Sequence, residues 1–180
     1  YAARLMELAE ALKARAPAQS PFLPPWSTLQ VGRVEGGSAR NVIADACTLE
    51  WEMRPVAPAD AAFVLAEIDR FAAGTLLPQM RRVSPQAAIV RETVGEVAGL
   101  SPEAEAEALA IVCEALGTDE HGVVAFGTEA GLYQRLGASA VVCGPGSILQ
   151  AHQPDEFVAL DELARAGRML AGALARLARP

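Results

Sequence analysis

The amino-acid sequence predicts an α/β protein, of the α+β kind in its first half, with a domain boundary near residue 98. In residues 1–97 the apolar spacing alternates between helical and strand periods, in the order helix, strand, strand, helix, strand. That order lacks only a leading strand to be the split βαβ, or ferredoxin-like, arrangement. Residues 98–180 begin with a helical pattern and continue as strand, helix, strand and helix. Strands that alternate with helices are typical of a parallel sheet.

The first helix and the first two strands have the clearest patterns. Leucines at helical spacing predict a helix over residues 1–16, with Leu5 and Leu12 in the core. Residues 28–34 form a predicted strand that a pair of glycines ends. Residues 46–54 alternate between apolar and polar side chains. We therefore expect a half-buried antiparallel strand there, with its polar face toward water or a ligand.

A second helix and a third strand complete the predicted first domain. Residues 58–73 carry an apolar stripe at helical spacing, and Gly74 and Pro78 are expected to stop that helix. Residues 79–92 have a less regular pattern and are predicted to form the third strand.

The second domain is predicted to begin with a helix that Ser101 caps and that runs to Leu116. Two apolar runs, at residues 123–126 and 140–143, are predicted to be buried strands joined by a short helix. A closing amphipathic helix is expected over residues 160–177.

Composition excludes several functional classes. Hydrophobic residues make up 52% of the chain and charged residues 21%, so the chain can bury a core. A net charge of −7 argues against nucleic acid or an anionic membrane as the main partner. No apolar run approaches the roughly 18 residues of a membrane span, and three well-separated cysteines favour buried thiols in a reducing compartment, so we expect the cytoplasm. The chain opens at Tyr1 with a helical pattern already under way, so we expect it to be a fragment.

Two loops are expected to meet at one edge of the predicted parallel sheet. The segment Gly127-Thr128-Glu129 leaves one strand and the loop from Gly144 to His152 leaves the other, and open α/β sheets bind ligands at that edge. An imidazole on a stiff loop is suited to a metal ion, although His152 would equally be an ordinary hydrogen-bonded loop residue. A thiol nucleophile at Cys143 with His152 as its base is a further alternative, but no evident cation would activate the thiol.

Four stretches, in order, resemble the acetylornithine deacetylase family of the two-zinc aminoacylase and carboxypeptidase superfamily. One such match would be weak evidence, but four in the same order are specific. The stretches are Gly36–Ile43, Glu52–Pro55, Gly127–Ala130, and Gly144–Ser147 followed by Ala151–Glu156.

The resemblance implies the C-terminal half of a homodimeric zinc hydrolase that removes an acyl group, acetyl by expectation, from an N-acyl amino acid such as N-acetylornithine. Residues 1–97 would be most of a ferredoxin-like lid and dimerisation domain, and residues 98–180 the last part of the catalytic domain. His152 would be a ligand of one of two zinc ions, with cobalt as a possible substitute, and the metal would activate a bound water. The other ligands and the general base would precede Tyr1, so the chain alone is expected to be inactive.

The resemblance also implies two substrate contacts in the first domain. Arg54 would clamp the substrate α-carboxylate, with a surface ion pair to Glu35 or Glu52 as the alternative. Asn41 would contact a carboxylate, often across the dimer, or would simply bond the backbone of its own turn.

Further contacts would come from the second domain. Gly127, Thr128 and Glu129 would line the substrate site, although the Thr128 hydroxyl would also serve as a helix cap. Asp155 and Glu156 are candidates to orient His152, but carboxylates are common at helix N-termini for other reasons. The alternative to an enzyme is a non-enzymatic ferredoxin-like module that dimerises or binds amino acids.

Overall fold

A computed structural model describes residues 1–103 and 106–179. The chain divides into two compact units, Tyr1–Val94 and Gly95–Pro180, which are described separately below. The first unit mixes helices with a two-stranded sheet, as the sequence predicts.

The first unit begins with a helix and an antiparallel hairpin. Helix α1 (Ala2–Lys13) is followed by strands β1 (Thr28–Gly36) and β2 (Cys47–Arg54). The register pairs Gly36 with Cys47 at the hairpin end and Thr28 with Arg54 at the open end, with one irregularity between Val31 and Arg33. Along β2 every second side chain is exposed and the alternate ones are partly buried, so the predicted half-buried strand is confirmed.

The second helix continues further than the sequence predicts. Helix α2 (Pro58–Phe71) runs through a π-helical turn (Ala72–Leu76) into helix α3 (Leu77–Arg81). Pro78 lies in the first turn of α3, directly after the π-helical turn, so it does not stop the helical run as the sequence predicts.

The predicted third strand is wrong. Residues 79–81 belong to α3, turns follow it, and residues 87–92 make no ladder, so in the part of the chain that the structure describes the sheet has two strands. A strand needs a neighbour to satisfy its main-chain groups, and residues 79–92 have none there. The ferredoxin-like detail of the prediction is therefore not confirmed.

The core of the first unit lies between the two long helices and the sheet. Leu5 and Leu12 are fully buried, as predicted, and the same cluster takes in side chains from β1 and α2. The other buried members of the cluster are Leu8, Leu29, Val64 and Ile68.

Ion pairs cover the outer surface of α2. Asp69 accepts two hydrogen bonds from Arg91, at 2.9 and 2.7 Å, and these hold the pKa of that carboxyl below its ordinary value. Glu67 bonds Arg70 and, at 2.8 Å, Arg4 of α1, which lower its pKa in the same way. These contacts tie α1 and the segment after α3 to α2.

The second unit contains three α-helices among its described residues: α4 (Glu107–Leu116), α5 (Ala130–Arg135) and α6 (Leu160–Leu177). The closing helix is confirmed at both ends. The predicted capping of the first helix by Ser101 is wrong, because α4 begins after Ala106; residues 104–105 of that predicted helix lie outside the described residues.

The two predicted strands of the second unit are also wrong. Residues 123–126 and 140–143 have no strand structure, and no sheet forms within the described part of this unit. A short β-branched run forms a strand only where a partner strand is available to pair with it. The sheet edge at which the loops of Gly127 and Gly144 were expected to meet is therefore not present in the described part of this unit.

Helix packing in the second unit depends on small residues. A Cβ at Gly172 of α6 would lie 3.3 Å from the Ala115 side chain of α4, and Arg176 pairs with Glu114 across the same contact. A Cβ at Gly131 of α5 would lie 2.6 Å from the main chain of Gly99. Only glycine permits that approach, since a real Cβ essentially never comes so close.

All three cysteines are free, and Cys47 and Cys143 are exposed. The prediction of buried thiols is therefore wrong for these two residues. In the described residues no helix is both long and apolar enough to cross a bilayer.

Candidate active-site residues

Asn41 lies in the connection between β1 and β2. The Val42 N–H donates to the Ala39 carbonyl at 3.1 Å, which makes a tight turn, and the Asn41 side chain is exposed. Where β1 ends, the backbone at Gly36 lies so close to Ala46 that a Cβ at Gly36 would be 2.7 Å from the Ala46 carbonyl oxygen. This close approach anchors the turn. The hairpin therefore presents Asn41 to solvent beyond the end of the sheet.

Arg54 ends β2 on the polar face of the sheet. Its Nε and Nη2 atoms each lie 3.2 Å from one oxygen of Glu52, and that same oxygen accepts from Gln30 at 3.0 Å. Arg33 pairs with Glu50 on the same face at 3.1 Å. The ion pair that the sequence offered as the alternative for Arg54 is thus present, and it places a carboxylate against the guanidinium.

Asn41 and Arg54 lie at opposite ends of the hairpin. Cys47 begins β2 next to the turn and Arg54 ends it. At about 3.4 Å per residue the strand between them is about 24 Å long. Within one protomer, therefore, these two side chains cannot hold the same carboxylate.

In the second unit, the loop that carries His152 is built around a short 3₁₀ turn, Ile148–Gln150. Ser147 caps it: its hydroxyl accepts from the Leu149 N–H at 3.3 Å, and its own N–H donates to the Gln150 side chain at 3.3 Å. Gly146 has φ +87°, a conformation that glycine adopts without strain. Local contacts therefore define this loop.

His152 follows that turn in a left-handed conformation, with φ +60°. Its main-chain N–H donates to Glu156 Oε2 at 2.9 Å, and its side chain is exposed. Asp155 has φ +59° and is also exposed. Glu156 thus holds the backbone at His152, and the orientation of the imidazole by Asp155 or Glu156 stays a prediction.

A cavity of about 530 Å³ adjoins the same loop. Its lining is mostly apolar, with Glu156 as the charged contributor. The other side chains that shape it include Phe126, Val142, Pro145, Ile148, Phe157 and Val158. The loop before His152 and the segment near residue 126 therefore do come together, although through apolar side chains and without a sheet.

Thr128 and Glu129 precede α5. The Thr128 hydroxyl accepts from the Ala130 N–H at 3.2 Å, which is the capping role that the sequence left open. Glu129 is the N-cap residue by position, with an exposed side chain that makes no capping bond. Gly127 is exposed, with open space around its Cα.

His152 is suited to be one metal ligand, but the described residues do not form a complete metal site. Within the residues that the structure describes, no group of three or more His, Cys, Asp or Glu side chains could hold an ion. His152 offers an exposed imidazole of the type that zinc binds. A dinuclear centre would need further ligands in addition to it.

Sequence reasoning missed a buried polar cluster in the first unit. Asp60, 2% exposed, accepts from Arg15 Nε at 2.8 Å and from the Ser27 hydroxyl at 2.6 Å. The same Ser27 oxygen accepts from the Val56 N–H at 2.8 Å. The available signal was an acidic residue two positions after Pro58, a pattern that also fits simple charge stabilisation of a helix start.

Comparison with known proteins gives the family. Residues 2–79 match the peptidase dimerisation domain. An acetylornithine deacetylase of Myxococcus xanthus is 37% identical over 156 residues, 86% of this chain and 39% of that protein; those of Salmonella arizonae and Salmonella newport are 34% identical over 154 residues, 86% of this chain and 38% of theirs. The chain thus spans about two fifths of the length of these curated relatives. These matches support the M20 peptidase family for this chain, and within it the chain is similar to acetylornithine deacetylases.

Proposed function

We propose that the chain is part of a metal-dependent hydrolase that removes an acyl group, acetyl in the first instance, from an N-acyl amino acid such as N-acetylornithine. The observation that carries the proposal is the 37% identity over 156 residues to an acetylornithine deacetylase. A match of that length exceeds either unit alone, since the units hold 94 and 86 residues, so it extends into both. In this proposal residues 1–97, which include the whole first unit, are the lid and dimerisation domain, and residues 98–180 belong to the catalytic domain.

Arg54 is proposed to bind the substrate α-carboxylate. Its contact with Glu52 supports this role, because the guanidinium already holds a carboxylate oxygen through two nitrogens. Both side chains are more than half exposed, at 58% and 51%, so the pair is weak and a substrate carboxylate can replace it at low cost.

Asn41 is proposed to act in a homodimer, on the substrate of the partner subunit. The hairpin supports this assignment, since about 24 Å of strand separates its two ends and one protomer cannot apply both groups to one carboxylate. The match of residues 2–79 to a dimerisation domain supports the same arrangement.

In the second unit, His152 is proposed to be one ligand of a zinc ion, with cobalt as a possible substitute. Its exposed imidazole and its fixed backbone suit that role. When bound, zinc would supply a water of lowered pKa and polarise the scissile carbonyl. Glu156 holds the backbone at His152, Asp155 is proposed to help orient the imidazole, and Gly127, Thr128 and Glu129 are proposed to line the substrate site.

The proposal is tested by assaying the complete polypeptide that carries this chain, beside the 180-residue chain alone. We expect the complete protein to hydrolyse N-acetylornithine and to lose that activity with a chelator. The 180-residue chain is expected to be inactive, because a metal centre needs several ligands on a preformed frame.

Two outcomes would contradict the proposal. A folded, metal-loaded complete protein that dimerises but hydrolyses no N-acyl amino acid would favour the non-enzymatic module. Chelator-sensitive hydrolysis by the 180-residue chain, free of contaminating enzyme, would show that the chain carries more of the site than is proposed.

A further inference from the structure

The backbone just beyond β2 is held by a side chain and not by the sheet. Thr28 and Arg54 form the last pair of the ladder. The next residue, Pro55, has no N–H, so Val56 supplies the first main-chain donor after Arg54. That donor is taken by the Ser27 hydroxyl at 2.8 Å, one residue before the start of β1.

Ser27 is itself fixed by a buried carboxylate. Its hydroxyl donates its hydrogen to Asp60 Oδ2, at 2.6 Å, and its lone pairs remain available to accept from the Val56 N–H. The second Asp60 oxygen accepts from Arg15 Nε at 2.8 Å, and the Arg15 guanidinium lies 4.3 Å from the centroid of the Phe63 ring. A buried carboxylate with both oxygens satisfied is costly to disturb, so this cluster is rigid.

We propose that Ser27 and Asp60 are positioning residues for Arg54. This inference rests on the proposed function of Arg54 as the substrate-carboxylate clamp. Arg54 has a long, half-exposed side chain, so the direction of its Cα–Cβ bond decides where the guanidinium can reach. The Ser27–Val56 bond sets that direction by closing the backbone two residues beyond Arg54, and a misplaced clamp binds its carboxylate less well.

The experiment uses the complete protein with N-acetylornithine as substrate. Ser27→Ala removes one hydroxyl and leaves the Arg15–Asp60 pair intact, so it is the milder variant; Asp60→Asn is the stronger one. We expect Ser27→Ala to raise KM about three- to tenfold, as for one lost hydrogen bond, with kcat within about twofold. Ser27→Thr keeps the hydroxyl and is expected to restore KM.

Repeating the Ser27→Ala substitution in a protein that carries Arg54→Ala separates an effect on Arg54 from a general loss of stability. If Ser27 acts through Arg54, Ser27→Ala has no further effect on kcat/KM in a protein that already carries Arg54→Ala, because the effects of coupled residues are not additive. Ser20→Ala is the matched control, since the Ser20 hydroxyl also accepts a main-chain N–H, from Phe22 at 3.3 Å, but in a loop that does not border β2. Its kinetics are expected to equal those of the wild type.

The possible failures can be told apart. If Arg54→Ala itself has normal kinetics, the proposed clamp is wrong and the positioning inference falls with it. If Arg54→Ala is impaired while Ser27→Ala is normal, or if Ser27→Ala lowers kcat/KM equally in both backgrounds, only the positioning inference is overturned. Circular dichroism on each variant checks that it is folded, and the Ser27→Ala result stands even if Asp60→Asn does not fold.

Discussion

The two units of the chain use their apolar side chains very differently. In the first unit the leucines of α1 pack with Val64 and Ile68 of α2 into one buried cluster. Among the described residues of the second unit, Met169 is the large apolar side chain that is buried, with 6% of its surface exposed. Large apolar side chains that remain exposed there include Val124, Ile148, Leu149, Phe157 and Leu174.

Helix α6 shows the difference most clearly. Its partly or fully buried stripe consists of Glu162, Ala166, Met169, Ala173 and Arg176. Its leucines lie on the other side: Leu170 is 58% exposed and Leu174 is 67% exposed. An amphipathic pattern thus correctly predicts a helix without predicting which face is buried, because burial depends on the partner and not on the period.

The largest expected effect is on the core of the first unit. Ile68→Ala should destabilise that unit by about 2–5 kcal/mol, because it leaves a cavity at a fully buried position. Leu170→Ala, of similar chemistry, should change stability by less than about 0.5 kcal/mol, because its side chain is exposed. Denaturant unfolding of the 180-residue chain measures both changes. Equal losses would show that the second unit buries its leucines as well as the first.

Glycines give a smaller effect, within the second unit. Gly131→Ala should cost about 1–3 kcal/mol, because the new methyl group would collide with the main chain at Ala98 and Gly99. Gly167→Ala, in the interior of α6 with open space around it, should instead stabilise by up to about 1 kcal/mol. Thermal unfolding compares the two variants. A neutral Gly131→Ala would mean that α5 does not pack against residues 98–99.

The sequence predicted those elements whose signal is local. Helices α1 and α6 and both strands of the hairpin were predictable from periodicity, as was the burial of Leu5 and Leu12. The structure of residues 123–126 and 140–143 was not predictable in this way, because an apolar run becomes a strand only beside another strand.

Two features of the candidate site depended on tertiary contacts. Pairing of Arg54 with Glu52 was one of two ion pairs that the sequence allowed, and only the fold selects between them. Contact between Asp60 and Ser27 joins residues 33 positions apart, and no local pattern indicates it.

The smallest expected effect is electrostatic and belongs to the first unit. Because Arg91 lowers the pKa of Asp69 in the folded state, the pair stabilises the fold above the ordinary carboxyl pKa, and this contribution is lost as the pH falls below about 4. Asp69 is 51% exposed, so the gain is below about 1 kcal/mol. Thermal unfolding of wild type and Asp69→Asn between pH 7 and pH 3 tests this. A stability difference unchanged at pH 3 would exclude the pair as its source.

The division of roles between the two units is tested most directly by one pair of variants in the complete protein. Arg54→Ala, in the first unit, should lower kcat/KM for N-acetylornithine about 10- to 150-fold, the effect of one lost charge-assisted contact, with zinc content unchanged. His152→Ala, in the second unit, should lower zinc content and activity together, because the proposed metal ligand is lost. Steady-state kinetics and metal analysis on both variants give the answer. Normal kinetics in Arg54→Ala, or full zinc occupancy in His152→Ala, would contradict the assignment of substrate binding to the first unit and metal binding to the second.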